Sequence, residues 1–342
     1  MKKTTIIILL IISLLAATAY IIFAPATAFS EKNKSVVIPQ GNTGKEEVAE
    51  LFVEKEIISN GWAFKLLGDA MNIWGKVKPG KFQIKHSDNL LSIVRMLRNN
   101  RQTEVKLVIN KIRTKEDLAK LIGKNFSTDS ASVMAFLSNN DSLKQFSVDT
   151  NTFTSIIIPN TYSFYYITPL SKIIAKLQSS SEDFWNMEDR TQKATSMGFK
   201  PKEIYAIASI VEEETNMLAD KGKIASVYIN RFHKGMNLGA DPTVKFALKD
   251  FTLKRILFQH LTVSSPYNTY KNKGLPPGPI CTPSIETLDA VLNAPTTDYL
   301  YFVAKPDFSG YSNFSSNFSE HSKYAKQYQQ ALNEYLLRKK TQ

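Results

Sequence analysis

An almost unbroken apolar run close to the N-terminus limits what this chain can fold into more than any other feature of its sequence. The 18 residues from Ile6 to Phe23 include no charged side chain. As an α-helix, such a run would be about 27 Å long, which is close to the hydrocarbon thickness of a bilayer. Residues 6–23 are therefore predicted to bring the chain to a membrane.

The sequence supports two interpretations of this run. The segment Ala26-Thr27-Ala28 resembles a signal-peptidase site, but the run is longer than the about 7 to 15 apolar residues of an ordinary signal peptide, which favours a retained anchor. Lys2 and Lys3 precede the run and predict a cytoplasmic N-terminus. We therefore predict a single-pass protein of the cell (inner) membrane. Residues 1–28 would form its tip and transmembrane anchor, and the rest would lie on the periplasmic or extracytoplasmic side.

The composition narrows the classes of function. The 43 basic and 31 acidic residues give a net charge of +12, and in an exported chain this favours anionic polymers or lipids over nucleic acid as partners. The lysines are scattered, as is typical of a solvated surface. Cys281 is the only cysteine, so no internal disulfide can form. No cofactor and no metal site are predicted, because the four histidines lack the spacing of metal ligands: His86, His233, His260 and His321.

The order of predicted elements indicates an α+β protein with two parts after the anchor. Residues 29–105 contain a strand, two helices, a second strand and a third helix: Val36 to Pro39, Lys45 to about Ile57, Ala63 to Met71, Val77 to Ile84, and Asp88 to Leu97. The first four elements predict a small βααβ binding module.

Residues 106–342 are predicted to form a larger mixed α/β domain. Its predicted strands are Glu104 to Ile109, a buried strand Ser155 to Ile158, and a buried strand Tyr299 to Ala304. Its predicted helices begin at Thr114 and Pro201 and cover Pro169 to Asp189, Gly222 to Phe232, Thr287 to Asn293, and Ser319 to Arg338, with short helices between Ser127 and Asp149. The Pro- and Gly-rich run Gly274 to Pro279, with Ser265 to Tyr270 before it, predicts ordered loops that could carry a binding site.

Three consecutive glutamates close the helix that Pro201 opens, and only the third, Glu214, shares a face with the apolar residues before it. At about 100° per residue, that face is a wedge of about 120°. Its apolar members are Ile204, Ile207, Ile210 and Val211. Loss of hydration raises the pKa of a carboxyl group, so Glu214 is a candidate general acid. Alternatively, all three glutamates form a solvated helix end, and the pattern alone allows both.

Five ordered blocks of the sequence resemble the endolytic murein transglycosylase family, membrane-anchored bacterial enzymes that cut peptidoglycan. The blocks are Ala208 to Thr215; Tyr228-Ile229-Asn230-Arg231 with Gly235-Met236; Asp241-Pro242-Thr243-Val244; Tyr267 to Tyr270 with Gly274 to Ile280; and Tyr301 to Ala304. The chain departs from the family at Asn160, where an aspartate is usual, and at Asn110-Lys111-Ile112-Arg113, which replaces a more usual Glu-Gly pair.

The resemblance implies a role for several of these residues. Glu214, as the last glutamate of the Glu-x-Glu-Thr motif, would be the catalytic acid, with Glu212 as the first glutamate. The module over residues 29–105 is similar to the family's LysM-like region, a type associated with GlcNAc-containing glycans. The implied reaction cleaves the bond between MurNAc and GlcNAc and leaves 1,6-anhydroMurNAc. The implied partners are glycan strands and peptidoglycan synthases, with a role in ending strand elongation.

The other matched residues have two interpretations each. Tyr267, Asn268, Thr269 and Tyr270 could line the cleft, with rings facing sugars and polar groups bonding hydroxyl or acetamido groups, or they could only support the glutamate helix. Asp241 and Thr243 could orient substrate or a proton, although Asp before Pro also forms turns. Asn230 and Arg231 could hold Glu214 or the strand ends, or Arg231 could pair with Glu212. At the level of the whole protein, a hydrolase of the same bond and a non-catalytic wall-binding scaffold are the alternatives.

Overall fold

The computed structural model describes residues 2–340 and combines helices with three two-stranded sheets. Helix α1 (Lys2–Phe23) contains the predicted apolar run. Its segment Lys3–Phe23 spans 21 residues with a mean hydropathy of 2.9, and its side chains are not buried by the protein. A helix of this length and composition fits a single-pass membrane anchor or a signal sequence.

The chain divides into two compact units. The first comprises the residues up to Leu107 together with Gly123–Asp129 and Ser163–Pro169. The second comprises Val108–Ile122, Ser130–Tyr162 and the residues from Leu170 onwards.

The first unit has the predicted order of strand, two helices, strand and helix. The elements are β1 (Asn33–Ile38), α2 (Lys45–Glu54), α3 (Gly61–Ala70), β2 (Gly80–Lys85) and α4 (Leu90–Arg98). The strands β1 and β2 are antiparallel, and their alternating side chains face a core that includes Ile38, Phe52, Phe64, Phe82, Ile84 and Leu97. Side-chain oxygens of asparagine cap α3 and α4 at their N-termini. The likeness of this unit to a LysM module stays a prediction.

The chain continues through β3 (Val105–Ile109), α5 (Lys115–Asn125), α6 (Ser130–Leu137), α7 (Asn140–Lys144) and β4 (Asn160–Phe164), and β3 pairs with β4. The prediction of a strand from Ser155 to Ile158 is wrong, because Phe153–Ile156 form a 3₁₀ turn. The Asp149 carboxylate accepts from the backbone N–H of Thr152 at 2.9 Å, and the Ser155 hydroxyl donates to the Thr152 carbonyl at 2.7 Å. These local bonds turn the chain, and the apolar residues are buried without a strand.

The remaining elements are α8 (Leu170–Asn186), α9 (Arg190–Ser196), α10 (Pro201–Glu214), α11 (Leu218–His233), α12 (Asp241–Leu248), α13 (Phe258–Leu261), α14 (Ile285–Leu292), β5 (Tyr301–Ala304), β6 (Ser312–Ser315) and α15 (Phe318–Lys340). The predicted helix from Pro169 to Asp189 ends early, because Glu188 and Asp189 both adopt positive φ. The predicted strand at Tyr299 to Ala304 is half-buried rather than buried, since it pairs only with β6 in a two-stranded sheet.

Helix α10 occupies the core of the second unit and begins at Pro201, as predicted. The Glu203 carboxylate accepts from the backbone N–H of Lys200 at 2.7 Å and so closes its first turn. All residues from Ile204 to Val211 are buried, so the helix is covered on every side for two turns rather than along one wedge. It packs against α11 and α14. The three glutamates therefore stand where a fully buried helix reaches its C-terminal end.

Candidate active site

The three glutamates at the end of α10 lie in three different surroundings, and none of them is a freely solvated side chain. The side chain of Glu212 is 12% exposed and that of Glu213 is 18% exposed, while Glu214 is half-buried. The interpretation of this segment as a solvated helix end is therefore wrong. What separates the three carboxyl groups is the charge of their partners.

Glu212 is held by a lysine and two hydroxyl groups. The ammonium of Lys221, itself 8% exposed, lies 3.1 Å from its Oε2, and the Ser284 hydroxyl donates to the same oxygen at 3.0 Å. The Thr287 hydroxyl also donates to this oxygen. Burial alone would raise the pKa of Glu212, but the bonds from Thr287 and Lys221 outweigh it and lower the pKa. Glu212 is therefore an ionised carboxylate whose burial is offset by its bonds to Lys221, Ser284 and Thr287.

Glu213 is held by an arginine and a lysine. Arg113 donates from Nε at 3.0 Å and from Nη2 at 2.9 Å to the two carboxylate oxygens, and the Lys111 ammonium lies 3.3 Å away. Burial raises the pKa of Glu213, and these cations more than reverse the effect. Both cations come from the segment Asn110 to Arg113, which the sequence comparison identified only as a departure from the family.

Glu214 has a phenol as its close partner instead of a cation. The Tyr228 hydroxyl donates to its Oε1 at 2.5 Å, and within residues 2–340 no salt bridge to Glu214 is found. Burial raises the pKa of Glu214 to about 7; the bond from Tyr228 opposes this rise, the charge of Asp241 adds to it, and the charges of Lys245 and Arg231 oppose it. Glu214 is thus the carboxyl group of the three that retains a proton near neutral pH.

Tyr228 is the site residue that sequence reasoning missed. It lies on α11 and is 1% exposed, and burial followed by the charge of Glu214 raises its pKa well above the ordinary value. The phenol therefore stays protonated and acts as a hydrogen-bond donor. The block Tyr228 to Arg231 contained the signal, but nothing in one sequence shows that a residue 14 positions after Glu214 faces its carboxylate.

Asp241 and Tyr270 form a second polar pair near this carboxyl group. The Tyr270 hydroxyl donates to Asp241 Oδ1 at 2.6 Å, and Asp241 is the first residue of α12. Its negative charge adds to the rise in the pKa of Glu214 that burial causes. The pKa of Tyr270 is also raised, first by burial and then by its bond to Asp241. The structure therefore brings together Glu214, Asp241 and Tyr270 among the predicted site residues.

Arg231 does not pair with Glu212, so that predicted structural pairing is wrong. Its Nε donates to the Leu300 carbonyl at 2.7 Å and its Nη1 donates to the Leu238 carbonyl at 2.5 Å. The guanidinium also lies over the Tyr301 ring, 5.4 Å from the centroid. Arg231 therefore ties the segments around β5 together and influences the Glu214 proton only through its charge.

Four other predicted site residues make only internal bonds. Asn230 donates to the Thr297 and Tyr299 carbonyls at 2.9 Å each, which holds the chain entering β5. Asn268, at 0% exposure, donates to two backbone carbonyls at 2.9 Å each. The hydroxyls of Thr243 and Thr269 bond each other at 2.8 Å, and both residues are buried. This geometry favours loop support over the predicted direct contacts of Asn268 and Thr269 with a sugar.

The aromatic loop, Ser265 to Tyr270, and the Pro-rich wall, Gly274 to Pro279, are ordered by packing. The Tyr267 ring lies 4.6 Å from that of Phe246, and burial raises the pKa of Tyr267 to about 12. A Cβ atom at Gly278 would collide with the backbone carbonyl of Asn151, so the wall needs glycine at this point. These contacts fix the walls beside the helix end.

A cavity of about 540 Å³ opens beside the Asp241 and Tyr270 pair. Residues at and before α13 also line it. Asp241 lines this cavity and also acts on Glu214 through its charge. In residues 2–340 there is no group of three or more His, Cys, Asp or Glu side chains arranged to hold a metal ion.

Comparison with known proteins places these features in a family. The profile of the YceG-like family matches residues 36–327. The endolytic murein transglycosylase of Bacillus subtilis (strain 168) is 37% identical over 185 residues, which are 52% of this chain and 48% of that protein. The endolytic murein transglycosylase of Streptococcus pneumoniae (strain D39) is 30% identical over 152 residues, 43% of this chain and 27% of that protein.

This chain therefore spans half or less of the curated relatives it matches. A crystal structure of a YceG-like protein from Listeria monocytogenes superposes with a TM-score of 0.56 at 27% identity, covering 86% of this chain and 99% of that one. The family profile covers most of the sequence, from β1 into α15. The protein belongs to the YceG-like family.

Proposed function

We propose that this protein is a membrane-anchored lytic transglycosylase that cleaves the bond between MurNAc and GlcNAc inside peptidoglycan strands and leaves 1,6-anhydroMurNAc ends. The relatives named endolytic murein transglycosylases support the class of reaction. The observation that carries the proposal is the carboxyl group of Glu214, which is bound by a phenol rather than by a cation and has its pKa raised to about 7.

A pKa near 7 suits a group that must both give and take a proton. At a pH equal to its pKa, a carboxyl group is half protonated, so neither step requires a large change in free energy. Glu212 and Glu213 have lowered pKa values and are ionised at that pH. Of the three adjacent carboxyl groups, Glu214 alone can act as an acid.

In the first step, the Glu214 proton passes to the oxygen between MurNAc C1 and GlcNAc C4, and the C1–O bond breaks with its electron pair leaving on that oxygen. In the second step, the MurNAc O6 forms a bond to C1, and its proton passes to the Glu214 carboxylate. The carboxyl group is regenerated and no water is consumed. An attacking oxygen within the same ring has a high effective concentration, so a second catalytic carboxylate is not needed.

Tyr228 would position the acid. Because its hydroxyl donates to Oε1, Oε1 is engaged as an acceptor and the catalytic proton would reside on Oε2. Arg231 and the Asp241 pair would adjust the pKa through their charges. Asn230, Thr243, Asn268 and Thr269 would hold the surrounding loops.

A hydrolase of the same bond is the second candidate, and Asp241 is the observation that favours it. Hydrolases use two carboxyl groups, one as acid and the other as nucleophile or base. Asp241 is a second carboxylate whose charge acts on Glu214. Its bond from Tyr270 makes it a weaker nucleophile, which favours the transglycosylase. The products separate the two reactions, since hydrolysis leaves a reducing MurNAc.

The location and partners follow from the same proposal. Helix α1 would anchor the chain with its N-terminus in the cytoplasm and the catalytic unit on the extracytoplasmic side, next to newly made glycan strands. The LysM-like module of residues 29–105 would hold the strand, and the catalytic domain of residues 106–342 would cut it. Cleavage there, alongside peptidoglycan synthases, would end strand elongation.

The deciding experiment compares digests of purified sacculi by wild-type protein and Glu214→Gln, with the products measured by mass spectrometry. We expect anhydro-ended fragments from the wild type and none from Glu214→Gln. Glu203→Gln, an isosteric change at the other end of the same helix, should leave the products unchanged. Reducing MurNAc ends would indicate the hydrolase instead. Full rescue of a deletion strain by Glu214→Gln would indicate the non-catalytic scaffold.

A further inference from the structure

The cavity beside Asp241 and Tyr270 is also lined by an exposed aromatic ring. Phe258, the first residue of α13, is 90% exposed and lines this cavity of about 540 Å³. Leu257 lines it too and is 48% exposed. A single exposed phenylalanine carries little information. Here the ring lines the same cavity as Asp241, a carboxylate whose charge acts on Glu214.

The residues that line the cavity are of two chemical kinds. Asp241 and Tyr270 form a hydrogen-bonded polar pair, while Leu257 and Phe258 are apolar, and Arg255 and Gln259 also line the cavity. A pyranose ring has the same division, because its hydroxyl and acetamido groups project from the edge while its C–H bonds form apolar faces. A flat ring against such a face, with polar groups at the edge, is a suitable sugar site.

We infer that Phe258 is a stacking platform for one sugar ring of the glycan strand, in a subsite next to the bond that Glu214 cleaves. This inference rests on the proposed function and adds to it a residue outside the five blocks that resemble the transglycosylase family. It also assigns the sugar contact to the α13 side of the cavity. The Asn268 and Thr269 side chains are committed to internal bonds and do not supply it.

The first test measures cleavage of a soluble, uncrosslinked tetrasaccharide of alternating GlcNAc and MurNAc by the full-length protein. For Phe258→Ala we expect KM to rise about fivefold to tenfold with kcat nearly unchanged, as loss of one aromatic contact implies. Phe258→Tyr and Phe258→Trp should keep KM within about twofold, while Phe258→Leu should resemble Phe258→Ala. Tyr165→Ala, which removes another exposed ring, is the matched control and should leave KM unchanged.

The second test measures equilibrium binding of the same tetrasaccharide to Glu214→Gln and to Glu214→Gln/Phe258→Ala. Weaker binding by the double variant supports the subsite even if the cleavage products contradict the proposed reaction, so the two failures are distinguishable. An unchanged KM and unchanged binding on loss of the ring would overturn the inference. Equal KM values for Phe258→Leu and Phe258→Tyr would also overturn it, because an apolar contact without an aromatic ring would then suffice.

Discussion

The end of helix α10 has two kinds of surroundings, and these shift the pKa of a glutamate carboxyl group in opposite directions. On one side, Glu212 and Glu213 lie among Lys111, Arg113 and Lys221 and have lowered pKa values. On the other side, Glu214 faces Tyr228 and has a pKa of about 7. All three lose water, so burial alone does not make an acid. Whether a cation takes the place of the lost water decides whether a buried carboxyl group keeps its proton.

Replacement of Glu214 by a side chain that cannot donate a proton as an acid should have the largest effect. Glu214→Gln is expected to lower kcat by about 10³-fold, within the range for loss of a general acid. Its stability should change in the opposite direction. A raised folded-state pKa means that the ionised form destabilises the fold as pH rises from about 4.5 to about 7. Glu214→Gln should therefore be more stable than wild type at pH 8 by about 1–2 kcal/mol, discounted for partial exposure, and equal at pH 4.

Thermal or urea unfolding at both pH values, combined with turnover of purified glycan strands, checks this prediction. An equal stability difference at pH 4 and pH 8 would contradict the assignment of the titrating group to Glu214.

Removal of a cation beside Glu212 or Glu213 should lower the stability of the fold and leave the acid function of Glu214 intact. Lys221→Met leaves the Glu212 carboxylate buried with fewer partners, and we expect a loss of about 3 kcal/mol in the free energy of unfolding. Lys65→Met is the control, because the Lys65 and Glu46 side chains are 31% and 59% exposed and such pairs contribute little. Urea denaturation measures both. A similarly small loss in the two variants would show that the compensation of Glu212 is unimportant.

Loss of the phenol should widen the difference in pKa between Glu214 and its two neighbours. Tyr228→Phe removes a bond that lowers the pKa of Glu214, so the alkaline limb of kcat/KM should move to higher pH, and kcat should fall about tenfold as the carboxyl group loses its fixed orientation. A pH–rate profile measures both changes. Tyr205→Phe, which removes a buried hydroxyl bonded to the Ile157 carbonyl, controls for loss of a buried phenol. A downward shift of the limb in Tyr228→Phe would contradict the geometry.

The smallest expected effect concerns Asp241. Its negative charge raises the pKa of Glu214, so Asp241→Asn should move the alkaline limb to lower pH while the amide oxygen of the substituted side chain still accepts from Tyr270. We expect a change in kcat at pH 7 of about twofold to fivefold for a transglycosylase. A loss as large as that of Glu214→Gln, measured on the same strands, would instead favour Asp241 as the second carboxyl group of a hydrolase.

Local features of the sequence predict part of the fold and of the candidate site. The start of α10 at Pro201 was predictable, because the preference of proline for the first helical turn is a local property. Helical periodicity singled out Glu214, and its catalytic role stays a prediction. The run Ser155 to Ile158 was mistaken for a strand because a buried apolar segment looks alike in either conformation. The hydrogen bond that the Asp149 carboxylate accepts and the one that the Ser155 hydroxyl donates decided the turn. The contacts of Lys111, Arg113 and Tyr228 join residues far apart in the chain, so no local pattern predicts them.

By itself, the sequence determined the apolar N-terminal helix, most of the order of helices and strands, and the start of α10 at Pro201. These depend on local periodicity and composition, which every segment carries within itself. Only the tertiary structure decided which partner each carboxyl group received. Charges and hydroxyls act over a few ångströms in space, and the fold brings two separate parts of the chain to the end of α10: the segment with Arg113, and helix α11 with Lys221 and Tyr228.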